Sequence, residues 1–299
     1  MTVAAQQDRA DKVWARRDLA PMDAYEFRQW SELLEARTGI SLPEKRKSFL
    51  LSNLSIRMRE LGYQRYRDYF HYVTDGRRGM VEWEILVDRL TVHETRFYRD
   101  PTALQMLREI WLDRLPASER PHQLRIWSVG CATGEEPYSL AMLVDDALLT
   151  RGVRAYPAIT ATDISAAALA TGREGIYPAN RLVNLPEGFR GRYFRDLGTN
   201  RYQVKDALRE RVCFARLNLL HLERTPLTPM DVIYCQNVLI YFRKPQRQRI
   251  LDRLVAHLRP GGLLVLGAGE ITDWSHPETA IVDYPGTLVF RRSAPRSES

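Results

Sequence analysis

Four residues in the stretch IWSVGCATGEEPYS pose a chemical question: Gly130, Gly134, Glu135 and Glu136. A glycine turn between a strand and a helix lets a ligand approach backbone amides, and in phosphate-binding versions the positive helix N-terminus holds the anion. Here two carboxylates occupy the expected first helical turn. They suit the helix dipole, yet they would repel a pyrophosphate in the same mouth. The stretch also lacks a full G-x-G-x-x-G pattern, offering only Gly130 and Gly134 around Cys131, Ala132 and Thr133.

A neutral or cationic nucleoside fits that mouth better. S-adenosylmethionine is such a ligand, with a sulfonium, an ammonium and no phosphate. Asp163 closes the next apolar run, AITATD, where a carboxylate can accept hydrogen bonds from both hydroxyls of a ribose lying across a sheet edge. Taken alone, Asp163 or Ser165 reads better as a helix cap. Paired with the glycine loop, ribose binding is favoured. Amides recur at later strand ends, Asn218 after VCFARL and Gln236 and Asn237 after DVIYC, and can read an adenine edge, although Asn is also a common turn residue.

Elements must carry these groups, and the pattern supplies them. From residue 124 onward short apolar runs at 124–130, 158–163, 212–217, 231–237 and 263–268 alternate with helical stretches at 135–149, 165–174 and 245–258, the last stopped by Pro260 and Gly261. That alternation predicts a parallel sheet covered by helices. The run AIVDYPGTLVF predicts a closing hairpin, and RYFRDLGTNRYQV a small β excursion at about 180–211. Before this domain, residues 21–92 read as four short helices, residues 93–123 as a linker that also lines the cofactor pocket, and residues 1–20 as a loose tail.

A chain of 299 residues with 44% hydrophobic content predicts one large domain plus an accessory one. The apolar runs are too short for membrane spans and the N-terminus is polar, so a cytoplasmic protein is expected. Cys131, Cys213 and Cys235 lie far apart, which predicts reduced thiols and neither a zinc site nor any other metal. The net charge of +7 favours an acidic partner without choosing among nucleic acid, anionic membrane and protein. Lys45, Arg46, Lys47, Arg57 and Arg59 concentrate on the second helical segment, as a solvated basic face or as a docking surface.

GCATGEEPYSLA, ATDIS, the NLL at 218–220, QNVLIYF, LRPGGLLVLGAGE and HETRFYRD together resemble the chemotaxis receptor methyltransferases of the CheR type. The resemblance spans roughly residues 24–290. It implies a small all-helical domain followed by a Rossmann-like methyltransferase domain with a β insertion. It also implies an enzyme that uses S-adenosylmethionine to methylate glutamates on the cytoplasmic domains of chemoreceptors, acting as a monomer, without nucleic acid or membrane insertion.

Carried over by position, the resemblance implies that His93, Thr95, Arg99 and Gly130 line the cofactor pocket. Glu135 or Glu136 would meet the methionine ammonium, with Glu135 favoured, and Asp163 would hold the ribose. Asn218, Leu219, Gln236 and Asn237 would border the adenosyl group. Arg99 and Tyr241 would orient the incoming carboxylate. The family usually carries Asn at the position of His93 and Arg at that of Gln236; the second change removes a fixed positive charge. DLGTNRYQ is shorter than the loop of members that tether to a receptor tail, which implies a peptide-independent enzyme. Two other readings stand beside this one, a nucleic-acid methyltransferase and a non-catalytic module that senses the cofactor. The first usually shows an Asn/Asp-Pro-Pro-aromatic stretch where this chain has CQNVLIYF.

Overall fold

A computed structural model describes residues 19–116 and 122–294, so nearly all of the tail expected over residues 1–20 lies outside the described residues. The chain divides into two compact units: the first runs to Arg37 and from Ser41 to Thr91, and the second takes Thr38–Ile40 and the chain from Val92 onward.

Among the described residues the first unit holds four α-helices: α1 (Ala24–Thr38), α2 (Lys47–Leu61), α3 (Tyr66–Thr74) and α4 (Gly76–Leu90). At the entry to α1, Asp23 and Glu26 cap each other: the Glu26 N–H donates to Asp23 Oδ1 at 2.7 Å and the Asp23 N–H to Glu26 Oε2 at 3.1 Å. Gly62, in the left-handed region at φ 83°, ends α2. Trp30, Leu34, Leu50, Leu54, Met58, Tyr69 and Leu86 form the core. Met80 is 60% exposed, while α4 buries Trp83, Leu86, Val87 and Leu90.

Arg57 requires a correction. Expected on an open basic face, it donates Nε and Nη2 to the Glu82 carboxylate at 2.8 and 2.6 Å, and Tyr69 donates its hydroxyl to the same group at 2.6 Å. Glu82 is only 3% exposed, so its charge cannot be left to water and Arg57 is committed to joining α2 to α4. Lys45 and Arg46 precede α2 in a 3-10 turn, Glu44–Arg46, and Lys47 opens the helix. Arg46 lies over the Phe49 ring and Lys47 over the Phe27 ring, while Lys45 and Arg59 are exposed.

The second unit begins with α5 (Pro101–Ile110), followed by β1 (His122–Val129), α6 (Glu135–Arg151), β2 (Ala155–Asp163) and α7 (Ala166–Glu174). Next come β3 (Ile176–Pro178), α8 (Phe189–Tyr193), β4 (Phe194–Asp196), β5 (Arg201–Val204), α9 (Asp206–Arg209), β6 (Val212–Arg216) and β7 (Met230–Cys235). The chain closes with α10 (Lys244–Ala256), β8 (Leu258–Leu266), β9 (Thr279–Val282) and β10 (Leu288–Arg292). The seven-stranded sheet has the order β6-β2-β1-β7-β8-β10-β9, with the first five parallel and the last two joining as an antiparallel hairpin. β7 is buried along its whole length, which explains its unbroken apolar run.

Three boundaries differ from expectation. The segment 93–123 is no linker over its described part, because Phe97, Tyr98, Leu104, Met106 and Leu107 are buried in the second unit's core and Asp100 caps α5 by accepting the Ala103 N–H at 3.0 Å. The helix expected over 245–258 ends at Ala256, and Pro260 to Gly262 form a bulge at the start of β8. A Cβ on Gly262 would sit 2.9 Å from the Met230 carbonyl oxygen, so glycine permits that approach. The β excursion begins at Ile176 rather than 180, since β3 supplies one edge of a three-stranded antiparallel sheet, β3-β5-β4.

β1 leads through α6 to β2 on one side, while β7 flanks β1 on the other. Chain connections therefore diverge at the carboxyl ends of β1 and β7, and an open α/β sheet forms its ligand crevice at such a divergence. Gly130 follows β1 there, and Gln236 follows β7.

Candidate active site

A cleft of about 750 Å³ opens at that divergence. Its walls include Thr95, Arg99, Gly130, Glu136, Gln236, Asn237 and Tyr241, together with Asp100, Ser139 and Tyr234. Gly130 and Cys131 both donate their N–H groups to the Thr162 carbonyl, at 2.8 and 2.9 Å, which folds the loop back over β2. Glycine is required at 130 on two counts: φ is +69°, and a Cβ would lie 2.4 Å from Val238 Cγ2. Gly134, at φ +98°, precedes α6 and would drive a Cβ into the Tyr177 hydroxyl at 2.8 Å.

The two adjacent glutamates have different surroundings. Glu136 lines the cleft and accepts one hydrogen bond, from the Ser128 hydroxyl at 2.7 Å. Burial pushes its pKa from the usual 4.5 to about 8; the Glu270 and Asp163 charges add to the rise while Arg99 opposes it. Glu135 is 1% exposed, accepts the Thr133 hydroxyl at 2.6 Å and lies 3.8 Å from Arg181 Nη1. The preference for Glu135 as the ligand-facing acid is therefore corrected: it is packed beneath the loop, and Glu136 faces the cleft.

Asp163 does not line the cleft. Its Oδ2 accepts the Ala132 N–H and its Oδ1 the Ser165 N–H, both at 2.9 Å, so the carboxylate fastens the glycine loop to β2. Ser165 is the cap of α7, accepting the Ala168 N–H at 3.0 Å. Asn218 likewise caps a short turn by accepting the Leu220 N–H at 3.0 Å, and Leu219 packs against the core beneath the sheet. Neither residue, nor His93, lines the cleft.

Gln236 is built into the wall. Its amide donates to Asp100 Oδ2 at 2.8 Å, and its carbonyl oxygen accepts the Tyr234 hydroxyl at 3.0 Å. The side chain thus joins β7 to the start of α5. Arg99 donates Nη1 to the Glu94 carbonyl at 2.7 Å, curling the 94–99 segment at the cleft edge. It is exposed, whereas Thr95 is 9% exposed.

Two contributors were missed from sequence. Asp100 carried a readable signal, an acid before a proline at a helix start. Glu270 lay unassigned within LGAGE. Its buried carboxylate accepts the Gly267 N–H at 2.9 Å and faces the N–H groups of Val238, Asn237 and Leu239; burial still raises its pKa overall. Those amides belong to the turn that carries Tyr241, where Asn237 has φ +60°.

Residues 93–282 match the family model described as CheR methyltransferase, SAM binding domain, and residues 25–91 match CheR methyltransferase, all-alpha domain. The chain belongs to the CheR methyltransferase family. It is an S-adenosylmethionine-dependent methyltransferase. Similar proteins include chemotaxis protein methyltransferase 2 of Pseudomonas aeruginosa, 38% identical over 82% of this chain and 86% of that one. The chemotaxis protein methyltransferase of Escherichia coli is 36% identical over 87% of this chain and 88% of its own. That of Borreliella burgdorferi is 33% identical over 78% and 83%.

The CheR cleft suits the cofactor on its own chemistry. Glu136 is an acid without a cation in hydrogen-bond contact, as an ammonium or sulfonium ligand requires.

Proposed function

We propose that this CheR-family enzyme transfers methyl groups to glutamate side chains of chemoreceptor cytoplasmic domains, giving methyl esters and S-adenosylhomocysteine. One observation carries the reading: a single cleft gathers Glu136, suited to a cation, with Arg99 and Tyr241, suited to a carboxylate. The names of the relatives, chemotaxis protein methyltransferases, supply the receptor as substrate. The reaction belongs to the cytoplasm, and the enzyme acts as a monomer. Among the described residues no helix is long and apolar enough to cross a membrane.

S-adenosylmethionine supplies a methyl group on a sulfonium. Glu136 binds its cationic end, while Gly130, Thr95 and Asn237 border the rest. Asp163 holds the loop that borders the ribose, through the Ala132 N–H. A substrate glutamate, with an ordinary pKa near 4.3, is already ionised at neutral pH, so no side chain has to remove a proton. Arg99 and Tyr241 orient the carboxylate, and positioning supplies most of the rate. Gln236, held by Asp100 and Tyr234, provides no fixed charge, so Arg99 carries the electrostatic part of that task. The short turn at 197–200 between β4 and β5 supports turnover without a receptor-tail tether.

The test is transfer of labelled methyl from S-adenosylmethionine to receptor cytoplasmic fragments, followed by mild alkali. Base-labile label released as methanol, and lost when the fragment's methylation-region glutamates become alanine, is expected. Cofactor binding without transfer to any of several receptors would instead identify a sensing module.

A further inference from the structure

Beside the cofactor cleft lies a second cavity, of about 620 Å³, lined by Glu94, Thr95, Arg96, Arg99, Asn180 and Arg181. The two share Glu94, Thr95, Arg96 and Arg99, so the 94–99 segment is their common wall. Three guanidinium groups stand against one carboxylate, which makes this basin cationic. S-adenosylmethionine carries a single carboxylate beside its ammonium and sulfonium, so it answers at most one of the three guanidinium groups, and Glu136 lines the cleft on the other side of the wall for the cationic end.

The basin is also held in place. Arg181 reaches it from the 3-10 turn Ala179–Arg181, donating Nη1 to the Thr95 carbonyl and lying 3.8 Å from the buried Glu135 carboxylate. The Phe97 N–H donates back to the Arg181 carbonyl at 3.4 Å. One side-chain bond and one backbone bond therefore join the two walls in both directions. Arg99 is restrained through Glu94, and Arg96 projects from the restrained segment as an exposed residue.

We infer that this basin is a substrate subsite for a second carboxylate, one helical turn from the glutamate being methylated, and that Arg96 sets that preference. The inference rests on the proposed glutamate methylation. On a helical substrate, residues three or four positions apart share a face with Cβ atoms about 5–6 Å apart. An acid at that spacing enters the basin while its neighbour enters the cleft. Guanidinium and carboxylate suit each other in shape and charge, and in a half-open basin their pairing gives selectivity of roughly 3- to 10-fold rather than a large gain in affinity.

The experiment compares wild-type enzyme with Arg96→Ala and Arg96→Glu on receptor fragments retaining a single methylatable glutamate. The residue one turn away is varied as Glu, Gln or Lys. With wild-type enzyme, Glu should exceed Gln in kcat/KM by roughly 3- to 10-fold and Gln should exceed Lys, the difference lying in KM and shrinking as salt rises. Arg96→Ala should abolish the Glu-over-Gln preference, and Arg96→Glu should restore turnover of the Lys substrate relative to Glu. Equal loss of activity on all three substrates would overturn the subsite, because a merely structural role predicts that pattern. Label transfer by wild type that ignores the neighbour would overturn it while leaving glutamate methylation intact. Absence of transfer to every fragment would remove both.

Discussion

Glu82 and Glu136 are both carboxylates set into the fold, one in each unit, and the protein treats them in opposite ways. Glu82 receives the Arg57 guanidinium and the Tyr69 hydroxyl, so its charge is answered within the first unit. Glu136 receives one serine hydroxyl, and burial pushes its pKa to about 8. Glu82, with a cation of its own, joins two helices of the first unit. Glu136, with none in contact, stands open at the cleft to one that arrives.

Removing Arg57 should give the largest effect, because it leaves Glu82 buried and uncompensated. Arg57→Ala should destabilise the first unit by about 3–5 kcal/mol, read as a fall in denaturant midpoint. Glu136→Gln should behave oppositely, leaving the fold intact while weakening S-adenosylmethionine about 10- to 100-fold, the value of a hydrogen bond to a charged group. Glu135→Gln should leave cofactor affinity within about 2-fold, since Glu135 does not line the cleft. Comparable losses in both glutamate variants, measured by calorimetry, would erase the distinction drawn between them.

The pH dependence sharpens the same comparison. Between pH 4.5 and about 8 the folded protein binds a proton on Glu136 that the unfolded chain has released. Stability contributed by this group therefore falls as pH rises through that window, by at most about 1.4 kcal/mol per pH unit. Cofactor affinity moves the other way: a cation favours the ionised acid, so affinity should rise toward pH 8 with uptake of cofactor releasing a proton. Both slopes should flatten in Glu136→Gln relative to wild type. Identical pH profiles for the two proteins would assign the acid another role.

The same contrast explains what could be read from the chain beforehand. Strand and helix order followed from hydrophobic period, because a parallel sheet buries whole runs and its helices bury one stripe. Gly130, Thr95, Arg99, Gln236, Asn237 and Tyr241 all line the cleft, because motif position places them after strand ends or on the 93–100 segment. Rotation about a helix start was not legible: Glu135 and Glu136 are neighbours of one type, and only tertiary packing of Thr133 and Arg181 decides which turns inward. Asp163, Asn218 and Arg57 share one cause. Each is a polar group with a plausible ligand outside, and each meets its partner inside the fold. The PGG sequence after α10 permits either a helix stop or a strand bulge, and the pairing of β8 with β7 selects the bulge.

Cations divide in the same way as Glu82 and Glu136, and they give the smallest expected effect. Arg57 is answered by Glu82, whereas Lys45 and Arg59 are exposed on the same basic segment. If receptor helices dock there, the unanswered pair should carry the attraction. Lys45→Glu combined with Arg59→Glu should raise KM for receptor fragments by roughly 3- to 5-fold at low ionic strength, because exposed charge pairs contribute little each. The gap should close near 0.5 M salt, where screening acts over only a few ångströms. A KM unmoved by the double reversal at low salt would confine substrate charge recognition to the arginines beside the cleft.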